Sequence, residues 1–196
     1  MITTTKSKHS ILLLVSIVAV SFNVLNAQSL KLNPKTFGMT ILGTTNVHNF
    51  ETKVTQATGE LVINASKQVQ SMVVEIPVKS IKSNEKLMDT KTYEAFHADK
   101  NPTIAFRSTE VNSLQVNGSD INVTVTGNLT VAGVTKKVTL KSTGKVVKPG
   151  VYEFKGVIAL KMTDFKMVPP TAMLGMMKVG DAITLKYDVA FEGPAI

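Results

Sequence analysis

The chain has 196 residues, no cysteine and no tryptophan, and 22 basic against 14 acidic residues, a formal net charge of +8. Without cysteine there is no disulfide framework and no thiol to take a lipid, so the fold must be held by its core. Arg107 is the one arginine and the lysines are scattered rather than striped, which speaks against the clustered, bidentate footprint of a nucleic-acid binder.

Lys6, Lys8 and His9 precede an apolar run, Ile11 to Val15 and Ile17 to Val20, and small or polar residues follow at Ala27 and Gln28. A basic start, a short greasy middle and a small residue at the cut read as a secretory signal peptide over residues 1–27. The run falls short of the ~20 apolar residues a membrane span needs. Residues 28–196 then form a single domain, exported to the periplasm or secreted, with a charge of about +6 once Lys6 and Lys8 are gone.

Period-two alternation dominates that domain and predicts strands. Phe37, Met39 and Ile41 share a face; Phe50 follows, then Leu61 and Ile63. "MVVEIPVKS" puts Met72, Val74 and Ile76 on one side. The next segment, "SNEKLMDTKTYEAFHADKNP", breaks the rhythm: Ser83 and then Asp89 or Thr90 can cap short helices, and Leu87, Met88, Tyr93 and Phe96 supply an intermittent apolar side. Pro102 forbids continuation, so one or two short helices are expected here. Alternation resumes in "PTIAFRSTEV" (Ile104, Phe106), "DINVTVTGNLTV", "KKVTLKSTGKVV" and "YEFKGVIALKM" (Phe154, Ile158, Leu160). Turn signals at Asn117-Gly118, Ala132-Gly133 and Pro149-Gly150 separate these runs. The chain ends on "AITLKYDVAFE", with Leu185, Tyr187 and Val189 on one face. Roughly eight short strands with hairpin connections read as an antiparallel barrel or sandwich.

"KMVPPTAMLGMMKVGD", residues 166–181, joins the last two strands yet is crowded with apolar residues, whereas connections normally run polar over the surface. Four of the chain's nine methionines, Met167, Met173, Met176 and Met177, fall in it beside Leu174. Methionine suits surfaces that adapt to an irregular apolar partner. Two readings stand open: the loop plugs one end of a barrel, or it is a pliable lip over an apolar cavity.

Catalytic signals are missing. His48 and His97 stand without the companions a metal site needs, no serine sits in a G-x-S-x-G elbow, and "GNLTVAG" lacks the Lys and helix of a phosphate loop. Asn64, Asn117, Asn122 and Asn128 begin N-x-S/T triplets, which threonine-rich strands generate by chance.

The stretch "IPVKSIKSNEKLMDTKTYEAFHADKNPTIAFRSTEV" resembles the central signature of the YceI-like family, also called the polyisoprenoid-binding family, through Ile76, Ser80, Ile81, Asn84, Asp89, Phe96, Pro102, Ile104, Phe106 and Ser108. "VTGNLTVAGVTKKVTL" resembles its next block (Gly127, Leu129, Gly133, Val134, Thr135), and "MTDFKM" with "KVGDAITLKYDVAF" its closing block (Asp164, Phe165, Gly180, Asp181). Ala132 stands where many members have His, and "GTTNVHNFE" looks like a short variant of the first strands.

The resemblance implies an all-β, eight-stranded antiparallel barrel of lipocalin-like shape. Its long interior would hold a polyisoprenoid lipid or a prenylated quinone, with no catalytic residue and no cofactor beyond that ligand. The inward-facing residues then nominate the lining: Phe37, Met39, Ile41, Phe50, Leu61, Ile63, Met72, Val74, Ile76, Phe96, Ile104, Phe106, Phe154, Ile158, Leu160, Leu185, Tyr187 and Val189. Met173, Leu174, Met176 and Met177 join them if the loop is a lip. The expected protein is a carrier or store that touches the membrane surface transiently, scattered lysines suiting anionic headgroups; whether it pairs as a homodimer stays open. The competing expectation is an envelope protein-interaction or stress-related module whose barrel is filled and binds nothing.

Overall fold

The computed structural model describes residues 27–64 and 68–194, so the expected signal peptide lies outside the described residues except for Ala27. In chain order the elements are β1 (Gln28–Thr45), β2 (Asn49–Val54), β3 (Thr58–Ile63), β4 (Val69–Pro77), β5 (Ile81–Lys82), α1 (Lys86–Phe96), β6 (Thr103–Asn117), β7 (Asp120–Val131), β8 (Val134–Lys148), β9 (Val151–Lys161), β10 (Thr171–Ala172) and β11 (Met177–Glu192). Every neighbouring pair is antiparallel, and pairing of β11 with β1 closes a ring of eight strands: β1, β3, β4, β6, β7, β8, β9 and β11. Strand β1 serves twice on its other side: Gln28–Lys31 pair with β3 and Met39–Thr44 with β2.

Closure works because alternation puts apolar side chains inside and polar ones outside along nearly every strand. On β7, Ile121, Val123 and Val125 are buried, while Asn122, Thr124, Asn128 and Thr130 lie on the opposite face. This apolar-in, polar-out arrangement is the reverse of an outer-membrane barrel. Among the described residues no helix is long and apolar enough to cross a membrane.

Local irregularities shift the inward phase once in β1 and twice in β6. In β1, buried Leu30 and Leu32 share one parity and Met39 and Ile41 the other; the ladder with β11 is interrupted between Leu32 and Phe37, around Pro34, which has no N–H to donate. In β6, irregularities at Ser108/Glu110 and Val111/Ser113 carry the inward face from Phe106 to Val111 and then to Leu114 and Val116. The hairpin turns follow the sequence signals, with Gly118, Gly133 and Gly150 at positive φ (61°, 78° and 78°).

The segment between β4 and β6 forms one α-helix, and its capping differs from expectation. The residue preceding α1 is Glu85, whose side chain makes no cap. Asp89 lies inside the helix and accepts hydrogen bonds from the Ser83 N–H (2.6 Å) and Oγ (2.8 Å), tying the lead-in to the first turn. Burial pushes the Asp89 carboxyl up, but those bonds and Lys82 at 3.7 Å outweigh it and hold the group below its usual range. Pro102 is not the terminator either: the helix stops at Phe96 because His97 turns left-handed (φ 49°), with His97 and Ala98 N–H groups bonding back to Glu94 and Tyr93.

The barrel thus has two distinct ends. The helix end carries α1, the Ala132–Gly133 turn, the Asn46–His48 turn and the connection from Met162 to Ala172. The hairpin end carries the Gly118–Ser119 and Pro149–Gly150 turns with the start of β1 and the end of β11. Val78 and Ile81 are fully buried beneath the helix, and Leu30 and Phe191 between the start of β1 and the end of β11.

Candidate functional site

Between those ends the barrel is hollow. A cavity of about 730 Å³ runs through it, inside the range of ~300–1,000 Å³ for small-molecule sites. Its wall takes Met39, Ile41 and Phe50 from β1 and β2, Leu61 and Ile63 from β3, and Met72, Val74 and Ile76 from β4. Ile104 and Phe106 follow from β6, Phe154, Ile158 and Leu160 from β9, Leu185, Tyr187 and Val189 from β11, and Phe96 from α1. The strand residues among these are the ones that alternation nominates; Phe96 comes from the helix that interrupts it. Phe37 is different: just past the irregularity in β1, it packs against the core cluster without reaching the cavity.

The wall extends beyond the residues nominated above. Ile121, Val123, Val125, Leu129 and Val131 of β7 line it, as do Val138, Leu140 and Val146 of β8. The signal was present in the quoted alternating runs, since every one of these residues sits on the apolar parity of its strand. Leu114 and Val116 of β6 also line the cavity; they share the parity of Ile104 and Phe106, because the two slips between them cancel.

The cavity is covered at the helix end and open at the hairpin end. Phe165 and Met167 are 3% and 6% exposed at the first, with Met88 and Ala95 of the helix and Pro170 beside them on the wall. Along β6 the inward side chains grow steadily more exposed toward the second, from Phe106 at 7% to Leu114 at 37% and Val116 at 54%. The few polar groups lie mostly near the ends: Lys91, Thr92 and Lys161 at the helix end, Ser119 and Lys148 at the hairpin end.

The methionine-rich connection divides into two halves. A 3-10 turn, Met162–Phe165, is pinned by Asp181 of β11, which accepts from the Thr163 N–H and Oγ1 at 2.8 Å each. These bonds hold the Asp181 carboxyl below the usual carboxylate range. Met162, Phe165, Met167 and Pro170 thereby close the bore. The second half faces water: Met173, Leu174 and Met176 are 63%, 106% and 71% exposed, and Val168 is exposed too. Left-handed backbone at Met173 and Leu174 (φ 51° and 54°) turns this bend outward. Asn46 anchors it, donating to the Met176 carbonyl at 2.9 Å and accepting from the Lys178 N–H at 2.8 Å. None of Met173, Leu174, Met176 or Met177 touches the cavity.

Comparisons with known proteins agree with this architecture. A UPF0312 protein of Pseudomonas aeruginosa is 38% identical over 99 residues, 47% of this chain and 49% of its own length. The chain thus spans about half the length of the curated relatives it matches. Burkholderia cenocepacia BcnA superposes with a TM-score of 0.65 at 20% identity, covering 81% of this chain and 98% of that one. A polyisoprenoid-binding domain from Saccharophagus degradans, implicated in plant cell wall breakdown, gives 0.65 at 11% identity, covering 87% and 99%. The Campylobacter jejuni YceI protein gives 0.58 at 20%, covering 74% and 85%. At such identities the structural likeness shows the shared fold. The YceI-like domain model matches residues 25–191, nearly the whole barrel, and the chain therefore belongs to the YceI-like domain family.

Proposed function

We propose that this chain is an exported carrier or store that holds a polyisoprenoid lipid or prenylated quinone in its bore and catalyses no reaction. The observation that carries this reading is the apolar cavity of about 730 Å³, which the chain's own side chains leave unfilled. It argues against the alternative of a filled interaction module. Among the described residues no group of three or more His, Cys, Asp and Glu could hold a metal ion.

Magnitudes define the task of such a carrier. At ~0.8 kcal/mol per buried CH₂, a long isoprenoid would gain more from leaving water than the ~20 kcal/mol ceiling of non-covalent binding. A lipid drawn from a bilayer starts out of water, however, so its transfer into the bore is nearly neutral. Affinity is therefore modest, and the protein's contribution is a sheltered path. The outward-turned Val168, Met173, Leu174 and Met176, flanked by exposed Lys166 and Lys178 at the covered end, suit transient contact with an anionic membrane surface; a lipid entering on that side would displace Phe165 and Met167 from the end of the bore.

The test is extraction of the natively produced protein, purified without detergent, with organic solvent followed by mass spectrometry. One isoprenoid per barrel is the expected result. An empty extract, together with failure to take up an added prenylated quinone, would remove the reading.

A further inference from the structure

Partway along the bore the apolar wall carries Thr52 of β2 and one hydrogen-bonded pair of hydroxyl groups. Tyr187 Oη and Ser142 Oγ lie 2.6 Å apart, and both side chains line the cavity. Ser142 of β8, Gly156 of β9 and Tyr187 of β11 form one row across three strands. A Cβ on Gly156 would collide with the Tyr187 hydroxyl, so the bare glycine lets the phenol lie across β9 and reach the serine. This row is also the last rung of the β8–β9 ladder. Met39, opposite Tyr187, and Leu140, Phe154, Ile158 and Leu185 make the surrounding wall apolar.

Proton counting makes the pair more than a strut. Each hydroxyl has one proton to donate and two lone pairs to accept. Their mutual bond uses one proton, and the other has no acceptor among the described residues. Both side chains are half-buried; once a guest chain displaces water from the bore, a hydroxyl proton without a partner carries a desolvation cost that an acceptor on the guest would relieve. We propose that Ser142 and Tyr187 are the specificity-determining pair of the bore and select an isoprenoid bearing a neutral carbonyl oxygen, as in a quinone or ketone. This rests on the carrier reading. A phosphorylated isoprenoid is disfavoured at this row, because a full charge would be buried without a cation.

The experiment uses the mature protein and three probes of equal chain length: a prenylated benzoquinone, the corresponding polyprene hydrocarbon and the prenyl phosphate. Wild type should bind the quinone about 3- to 10-fold more tightly than the hydrocarbon, the worth of one net hydrogen bond. It should also lower the infrared stretching frequency of the bound carbonyl. The double variant Ser142→Ala/Tyr187→Phe should lose both effects while binding the hydrocarbon as wild type does. Should that variant fail to fold, Tyr187→Phe alone, which keeps the ring, should show a reduced preference and a carbonyl frequency moved toward the free value. Equal changes for quinone and hydrocarbon, or no discrimination by wild type, would mean that the pair only ties β8 to β11 and would overturn the proposal. Tighter binding of the phosphate would do the same. If none of the three probes binds wild type, the carrier reading falls and takes the anchor with it.

Discussion

Replacing Leu140 by Trp distinguishes a hollow barrel from a packed one by the sign of its effect. Leu140 is half-buried on β8, faces the bore opposite Val125 of β7, and sits beyond the point where β8 stops pairing with β9. In a filled core the larger ring would force its neighbours apart at a cost of ~1–3 kcal/mol. Here it enters a void of about 730 Å³. The ring adds on the order of 60 Å³, and at ~24 cal/mol per Å³ of cavity removed the gain is at most about 1.4 kcal/mol. For a domain of this size that is a rise of roughly 3–6 °C in melting temperature. Urea denaturation of delipidated protein gives the free energy, and extraction with mass spectrometry gives the bound lipid, which should fall because the bore is constricted. Destabilisation by more than about 1 kcal/mol with unchanged lipid content would show that the bore is already packed at this level.

Other expectations follow from single contacts. Changing Met173, Leu174 and Met176 together to Ser should slow lipid transfer between anionic vesicles yet shift stability little, since all three are exposed; unchanged transfer rates would take the bend out of the mechanism. Phe165→Ala should cost about 3–5 kcal/mol in urea unfolding, because this ring is 3% exposed where it closes the helix end; a loss below about 1 kcal/mol would mean that the closure does not depend on it. Asp181 has its folded pKa depressed by Thr163, so its stabilising contribution is complete above the unfolded value of about 4 and fades as pH falls through the folded one. Asp181→Asn should therefore be less stable than wild type at pH 7, and the gap should narrow below about pH 4; a gap constant with pH would show that the carboxylate's charge is irrelevant.

Much of the lining was legible because strand periodicity is local. Ile183, Leu185, Tyr187, Val189 and Phe191 share one parity, and the ladder with β9 runs unbroken from Ala182 to Glu192. Where ladders slip, the count fails. Leu30 and Leu32 point inward on the opposite parity from Met39 and Ile41, and between its two slips β6 turns Val111 inward on the opposite parity from Phe106 and Leu114. Such slips depend on what the neighbouring strand offers, which a single segment does not encode. The methionine-rich connection shows the same limit: its composition announced an apolar task, but Met167 turns in and Met176 turns out because Asp181 and Asn46 hold its two halves from elsewhere in the chain.

By itself the sequence determined the antiparallel alternation, the hairpin turns at Gly118, Gly133 and Gly150, the interrupting helix and the apolar character of the interior, all of which rest on neighbours within a few residues. That the side chains leave the bore unfilled emerges only when all eight strands are assembled. Eight strands make a barrel that side chains can just fill or just leave open, so the outcome depends on the summed volumes around the whole ring. Inward valines on β7 and β8, with the glycines at 144 and 156 beneath aromatic rings, leave that sum short.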